Sequence, residues 1–195
     1  MQEFGRDLAK ELVEEGIRQL QEKGVEGFSS RAVAEICHVS CAAPFKHFKG
    51  RREFFLAMSK RLDECLLETM EAVEKEWGED YKSAHLKMNE AYIRYLCENP
   101  FLINTTFWKT IDEGPAGIHK WKSFQLMVKQ FVLYCTERQI PEEVYRSYYF
   151  NFQTLAYGAV FVIVNGLLMP GVDPIPDILD LQERIYRNLE RVIGK

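Results

Sequence analysis

The stretch that decides the fold is Phe28–Phe55, FSSRAVAEICHVSCAAPFKHFKGRREFF. Ser29 or Ser30 is placed to cap a short helix running to about Cys37, because a serine oxygen accepts from the backbone N–H groups that a helix start leaves unpaired. His38-Val39-Ser40 makes a tight connector, Ser40 caps a further short helix to about Phe48, and Gly50 breaks the chain again. Two short helices joined by a turn of about four residues make a helix-turn-helix, whose second helix enters the major groove of DNA. Ala34 is small enough for a close helix crossing, and Val33, Val39 and Phe48 fill the space between. That arrangement leaves Cys41, Ala42, Ala43, Lys46 and His47 on or near an exposed face, with Lys49 and Arg51 beside it. Arg31 lies in the first turn of the preceding helix, within reach of a base edge or a phosphate.

Outward from this segment the chain reads as helix in both directions. Leu8, Leu12, Val13, Ile17 and Leu20 recur at helical spacing up to a stop at Gly24. A long helix is expected from about Arg51 to Trp77, carrying Phe55, Met58, Leu62, Leu66, Met70 and Val73, and Gly78 ends it. Further helices are expected over about Tyr81–Glu98, Phe101–Ile111 and Ile118–Arg138, the first stopped by Asn99-Pro100 and the last before Pro141. An apolar helix then runs to Gly166 or Leu168, with Val144, Tyr148, Phe152, Leu155, Ala159, Ile163 and Leu167 close to one face. The final helix aligns Ile178, Leu181, Ile185, Leu189 and Val192. No segment alternates with period two between hairpin turns. The expectation is all-α, about nine helices: a three-helix helix-turn-helix module over residues 1–50 and a larger helical bundle for ligand binding and dimerisation over residues 51–195.

Composition narrows the function. The 195 residues are 47% apolar and 13% aromatic, enough to build a core, so a disordered chain is excluded. The net charge of −4 excludes a protein that coats nucleic acid over its whole surface. Yet between Arg31 and Arg61 seven basic residues face only Glu35 and Glu53, a concentrated positive patch of the kind that meets a phosphate backbone. No charged residue occurs between Arg146 and Asp173, but Tyr148, Tyr149, Asn151, Gln153 and Asn165 interrupt that segment, so it reads as a buried or intersubunit helix instead of a membrane span. Five scattered cysteines do not form a disulfide framework, and the N-terminus has no apolar signal segment; a cytoplasmic location is expected.

The Phe28–Phe55 segment resembles the N-terminal domain of the TetR family of one-component transcriptional regulators. The resemblance is carried by Ser29-Ser30, Val33-Ala34, Val39-Ser40, Phe45, His47-Phe48 and Arg51. His38 stands where the family usually has glycine in the turn, and Phe45 where it usually has tyrosine. The resemblance implies a homodimer that binds a palindromic operator in double-stranded DNA and releases it when a small-molecule effector enters the C-terminal domain. It places Ser30, Arg31, Cys41, Ala42, Ala43, Phe45, Lys46, His47 and Arg51 at DNA-facing positions, with Lys49 adjoining. Cys41-Ala42-Ala43 has little hydrogen-bonding capacity, so specificity is expected to rest on Arg31, Lys46, thymine-methyl contacts and DNA shape.

Other constellations carry less. Cys37, His38, Cys41 and His47 match no common zinc spacing, and no metal or cofactor is expected. A cavity lined by some of the second-half aromatics is implied by the resemblance, with Asn104, Phe107, Trp108, Trp121, Phe124, Gln125, Asn151 and Phe152 as candidate effector contacts. No nucleotide-binding, metalloprotease or nucleophile-elbow motif is present, so the chain reads as a non-enzymic regulator, most simply a repressor. A TetR-like coactivator without sequence-specific DNA binding, and an all-α enzyme using the aromatic bundle, are the alternatives.

Overall fold

Eight helices and no strand occur among the described residues of the computed structural model, which are 7–102, 121–171, 173–192 and 194. They are α1 Leu8–Lys23, α2 Ser30–Ile36, α3 Ala43–His47, α4 Arg51–Trp77, α5 Tyr81–Glu98, α6 Lys122–Glu137, α7 Glu142–Val164 and α8 Ile175–Val192. The fold is all-α, as expected. The remaining expected helix, about Phe101–Ile111, falls mostly on residues 103–120, outside the described residues.

Local chemistry explains the helix ends. The Asp7 carboxylate accepts from the Lys10 N–H at 3.1 Å and starts α1, and Asp80 does the same for Ser83 at the start of α5. Gly24 closes α1 with φ 69° and ψ −179°, a conformation open to glycine alone. Gln139 closes α6 in the left-handed region, φ 56°, with the Ile140 N–H reaching back to the Cys135 carbonyl at 2.9 Å.

The chain divides into two compact units, residues 1–64 with 101–117 and residues 65–100 with 118–195, and α4 contributes to both. In the first unit α1, α2 and α3 pack on one another around Leu12, Ile17, Val33 and Ala34. Phe28 meets Phe54 and Phe55 edge-on at 5.7 and 4.8 Å, and Phe48 stacks on Phe54 at 4.5 Å. Gly16 lets the backbone of α1 approach α4: a methyl group built on it would lie 2.5 Å from the Met58 sulfur.

In the second unit α5, α6, α7 and α8 pack around Phe131, Tyr134, Cys135, Phe152, Tyr186 and Leu189. The inward stripe of α8 is Ile175, Ile178, Gln182, Tyr186 and Leu189. Leu181 and Val192, on the expected apolar face, are 43% and 60% exposed. Gln182 and Tyr186 take the inner positions because polar partners meet them there, a compensation that hydrophobic periodicity cannot register. On α7 the buried residues are Phe152, Ala156 and Val160; the rest of the expected apolar face is half-buried or exposed. An helix apolar nearly all round does not reveal from sequence which stripe packs within its own chain. Among the described residues, no helix is long and apolar enough to cross a membrane.

Candidate nucleic-acid interface

Ser29 caps α2, its hydroxyl oxygen accepting from the Ala32 N–H at 3.3 Å, and its own N–H donates to the Gln19 side-chain oxygen at 3.0 Å. Gln19 is fully buried on α1 and ties that helix to the start of α2. Sequence reasoning passed over it; the available signal was an amide side chain set within the apolar stripe of α1.

The turn after α2 closes through His38, which adopts φ 57°. The Val39 N–H bonds the Ala34 carbonyl at 2.9 Å and the His38 N–H bonds the Glu35 carbonyl at 3.0 Å, the paired closure of a left-handed helix end. Histidine tolerates this region better than most residues, which reconciles its presence with a position that favours glycine.

The second helix begins later than expected. Ser40 does not cap it; α3 starts at Ala43, with Ala42 at the cap position and no side-chain cap. Pro44 sets the start. In a helix capped by Ser40, its absent N–H would break the first internal hydrogen bond, whereas in the opening pair of positions there is none to lose.

These constraints fix the open face. Ala43 and Pro44 are turned inward, each buried. Cys41, Ala42, Phe45, Lys46, His47 and Lys49 are exposed, as is Arg31 on the first turn of α2, and Ser30 is half-buried beside it. Thus nine of the ten expected positions lie at or near the surface of this unit, and Ala43 does not.

Arg51 has a different setting from its neighbours. Its guanidinium donates to the Val25 carbonyl at 2.8 Å and lies 5.7 and 5.3 Å from the ring centres of Phe28 and Phe55. It therefore holds the α1–α2 loop against the first turn of α4, a positioning role in addition to its charge. The Glu53 carboxylate is occupied by the Lys49 N–H, and Arg61 pairs with Glu14 at 2.8 Å. Arg31, Lys46, Lys49 and Arg52 are exposed cations of the same segment.

Residues 12–58 match the model of the bacterial regulatory proteins of the tetR family, spanning this whole arrangement from α1 into α4. Over these residues the chain is similar to the tetR-type N-terminal domain. The matched residues are those of the helix-turn-helix unit, α1 to the start of α4. The solved structure of a Rhodococcus sp. RHA1 protein of unknown function is similar over 95% of this chain and 96% of its own, with a TM-score of 0.73 and 19% identity, a likeness of fold. A candidate TetR-family transcriptional regulator from Rhodococcus sp. aligns over 95% of this chain and 87% of its own at 15% identity, with a TM-score of 0.42. No curated protein matches the sequence.

In the second unit, a polar cluster sits inside an aromatic shell. His85 is fully buried, 4.9 Å from the Phe152 ring and 5.4 Å from that of Phe131. The Asn89 amide, which also donates to the His85 carbonyl at 2.9 Å, donates to His85 Nε2 at 3.1 Å. That puts the imidazole proton on Nδ1, facing the Tyr186 oxygen 2.8 Å away. Gln182 donates to Asn89 Oδ1 at 3.3 Å, while its own side-chain oxygen and the buried Tyr149 hydroxyl have no hydrogen-bond partner among the described residues. Burial pushes the His85 pKa down to about 3 and raises those of Tyr149 and Tyr186 above the ordinary phenol range.

Among the expected effector contacts, Phe124 and Phe152 are buried and Trp121 is half-buried. Gln125 and Asn151 are exposed, since they fall on the outer faces of α6 and α7. Asn104, Phe107 and Trp108 lie outside the described residues. The polar side chains inside the bundle include His85, Asn89 and Gln182 from α5 and α8, and Ser123 and Gln130 from α6, where apolar periodicity masked them.

Proposed function

We propose that this protein is a ligand-responsive repressor that binds a palindromic operator as a homodimer and is released by a small, largely apolar effector. In this reading residues 1–50 form the DNA-binding domain and residues 51–195 the effector-binding and dimerisation domain. It acts in the cytoplasm and carries out no catalysis. The observation that carries the proposal is the open face around α3, exposed and framed by Arg31, Lys46, Lys49 and Arg52 on a chain whose net charge is −4. Lysine and arginine contacts to phosphate supply salt-dependent affinity, and Arg31 is the candidate for reading a guanine edge.

Dimerisation is supported by apolar surface on α7 and in the loop after it: Phe161, Leu167 and Met169 are 59%, 63% and 77% exposed. Beside them an apolar groove of about 250 Å³ is lined by Leu155, Ala159, Ile163 and Ile178. A monomer that left this much contiguous apolar surface in water would tend to associate, and a paired α7 and α8 bury it. Effector binding is supported by the aromatic interior of the second unit, where the Gln182 oxygen and the Tyr149 hydroxyl offer unused hydrogen-bonding capacity. The effector acts by population shift, favouring a state whose two recognition helices no longer match half-sites about 34–36 Å apart. The long α4, which belongs to both units, transmits the difference.

The test is a salt titration of an enriched duplex. Affinity should fall steeply with salt, and an Arg31→Ala, Lys46→Ala variant should bind at least tenfold more weakly with a shallower slope, roughly one unit less per phosphate contact removed. Absence of salt-sensitive duplex binding favours the second reading, a coactivator working through protein contacts, which the poor hydrogen-bonding capacity of Cys41 and Ala42 motivates.

A further inference from the structure

We infer that α3 reads the C5-methyl groups of thymine in the major groove, so that this protein separates thymine from uracil and 5-methylcytosine from cytosine. The inference rests on the proposal that α3 is the recognition helix.

The other phenylalanines around the reader are hidden: Phe28, Phe48, Phe54 and Phe55 are 6%, 8%, 1% and 1% exposed. Phe45 is 56% exposed, and among the described residues of its unit only Ile36, at 45%, is another large apolar side chain so placed. Burying a ring of that size is worth on the order of 2 kcal/mol in general, so its display on the face turned to a ligand needs a counterpart surface.

The neighbours of Phe45 define that counterpart. Phe45 stands one turn from Ala42, whose carbonyl accepts its N–H at 3.2 Å, and from Cys41. Ala43 and Pro44 point inward, so the N-terminal part of the open face offers a benzyl ring, a methyl and a thiol. Within α3 hydrogen-bonding side chains begin only at Lys46 and His47, and the exposed Ser40 hydroxyl lies before the apolar patch. Guanine is read by arginine or lysine, adenine by asparagine or glutamine, and cytosine by a carboxylate; the feature of a major-groove edge that apolar side chains can read is a methyl group. The surrounding Arg31, Lys46, Lys49 and Arg52 complement the charge of a duplex, which commits this apolar patch to DNA in preference to an apolar protein partner.

The experiment selects duplexes with the purified full-length protein from two random libraries, one synthesised with thymine and one with uracil. The enriched duplex is then titrated in both forms with the wild type, Phe45→Ala and Phe45→Tyr. Enrichment is expected from the thymine library. Each contacted methyl removed should weaken wild-type binding about fourfold, the value of one buried methyl-sized group. Phe45→Ala should bind the thymine and uracil forms alike, and Phe45→Tyr, which keeps the ring, should retain the discrimination. A 5-methylcytosine placed at a contacted thymine position should bind about fourfold better than cytosine there. Equal wild-type affinity for the thymine and uracil forms overturns the inference while leaving α3 as the reader. Failure to enrich any duplex from either library overturns the DNA-reading proposal itself, and the methyl reading with it.

Discussion

Lowering the pH from 7 to 5 should destabilise this protein through one residue, His85. Its imidazole is fully buried, with Nε2 accepting from Asn89 at 3.1 Å and Nδ1 facing the Tyr186 oxygen at 2.8 Å. Burial lowers its pKa from 6.5 to about 3. The folded protein therefore keeps His85 neutral while the unfolded chain protonates it once the pH drops below 6.5. The stability is fully present above that value and falls as the pH is lowered towards 3. Each pH unit in this window costs about 1.4 kcal/mol, so pH 5 costs about 2 kcal/mol relative to pH 7. Urea unfolding followed by far-UV circular dichroism at pH 7, 6 and 5 measures this against His85→Phe. That variant should be less stable than wild type at pH 7 by about 1–3 kcal/mol, because Asn89 and Tyr186 lose a buried partner. Its pH dependence should nonetheless be flatter by about 2 kcal/mol between pH 7 and 5, since every other titrating group is common to both proteins. Parallel pH curves for the two proteins would refute the reasoning and place the His85 ring in contact with water.

Three substitutions in the reader test its internal geometry by thermal or urea unfolding. Gly16→Ala should cost about 1–3 kcal/mol, because the added methyl meets the Met58 sulfur at 2.5 Å and Met58 is fully buried with little room to retreat; an unchanged midpoint would show that Met58 repacks freely. His38→Gly should stabilise by about 1 kcal/mol by relieving the left-handed conformation at φ 57°, with duplex affinity kept. Arg51→Lys keeps the charge but gives up a planar guanidinium packed on Phe28 and Phe55; it should destabilise the reader by about 1 kcal/mol, whereas a residue serving only as a phosphate contact would leave the unfolding midpoint unmoved.

The reader was legible because its determinants are local. Ser29 caps α2, Ala34 and Val33 pack inward, and the turn closes through residues adjacent in sequence. What sequence missed there involved partners far along the chain: Gln19 accepting from Ser29, and Arg51 reaching back to Val25. The start of α3 was misplaced because a plausible serine cap outweighed the requirement that Pro44 sit in the opening positions. In the second unit the helices were visible but their inner faces were not. Tyr186 and Gln182 are buried only because His85 and Asn89, about a hundred residues earlier, meet them there. Polar groups satisfied by such distant partners look like surface residues in a hydropathy pattern. For the same reason Gln125 and Asn151, chosen as polar groups on aromatic helices, turned out to be exposed.

The most direct test of the regulator reading is a selection of genomic DNA fragments by the purified protein at moderate salt, run beside the Arg31→Ala, Lys46→Ala variant. Enrichment of a palindromic site by the wild type and not by the variant is the expected result, and the flanking genes would then point to the class of effector. If neither protein enriches a site at any salt concentration, the exposed face of α3 is not an operator reader, and the ligand-released repressor is contradicted.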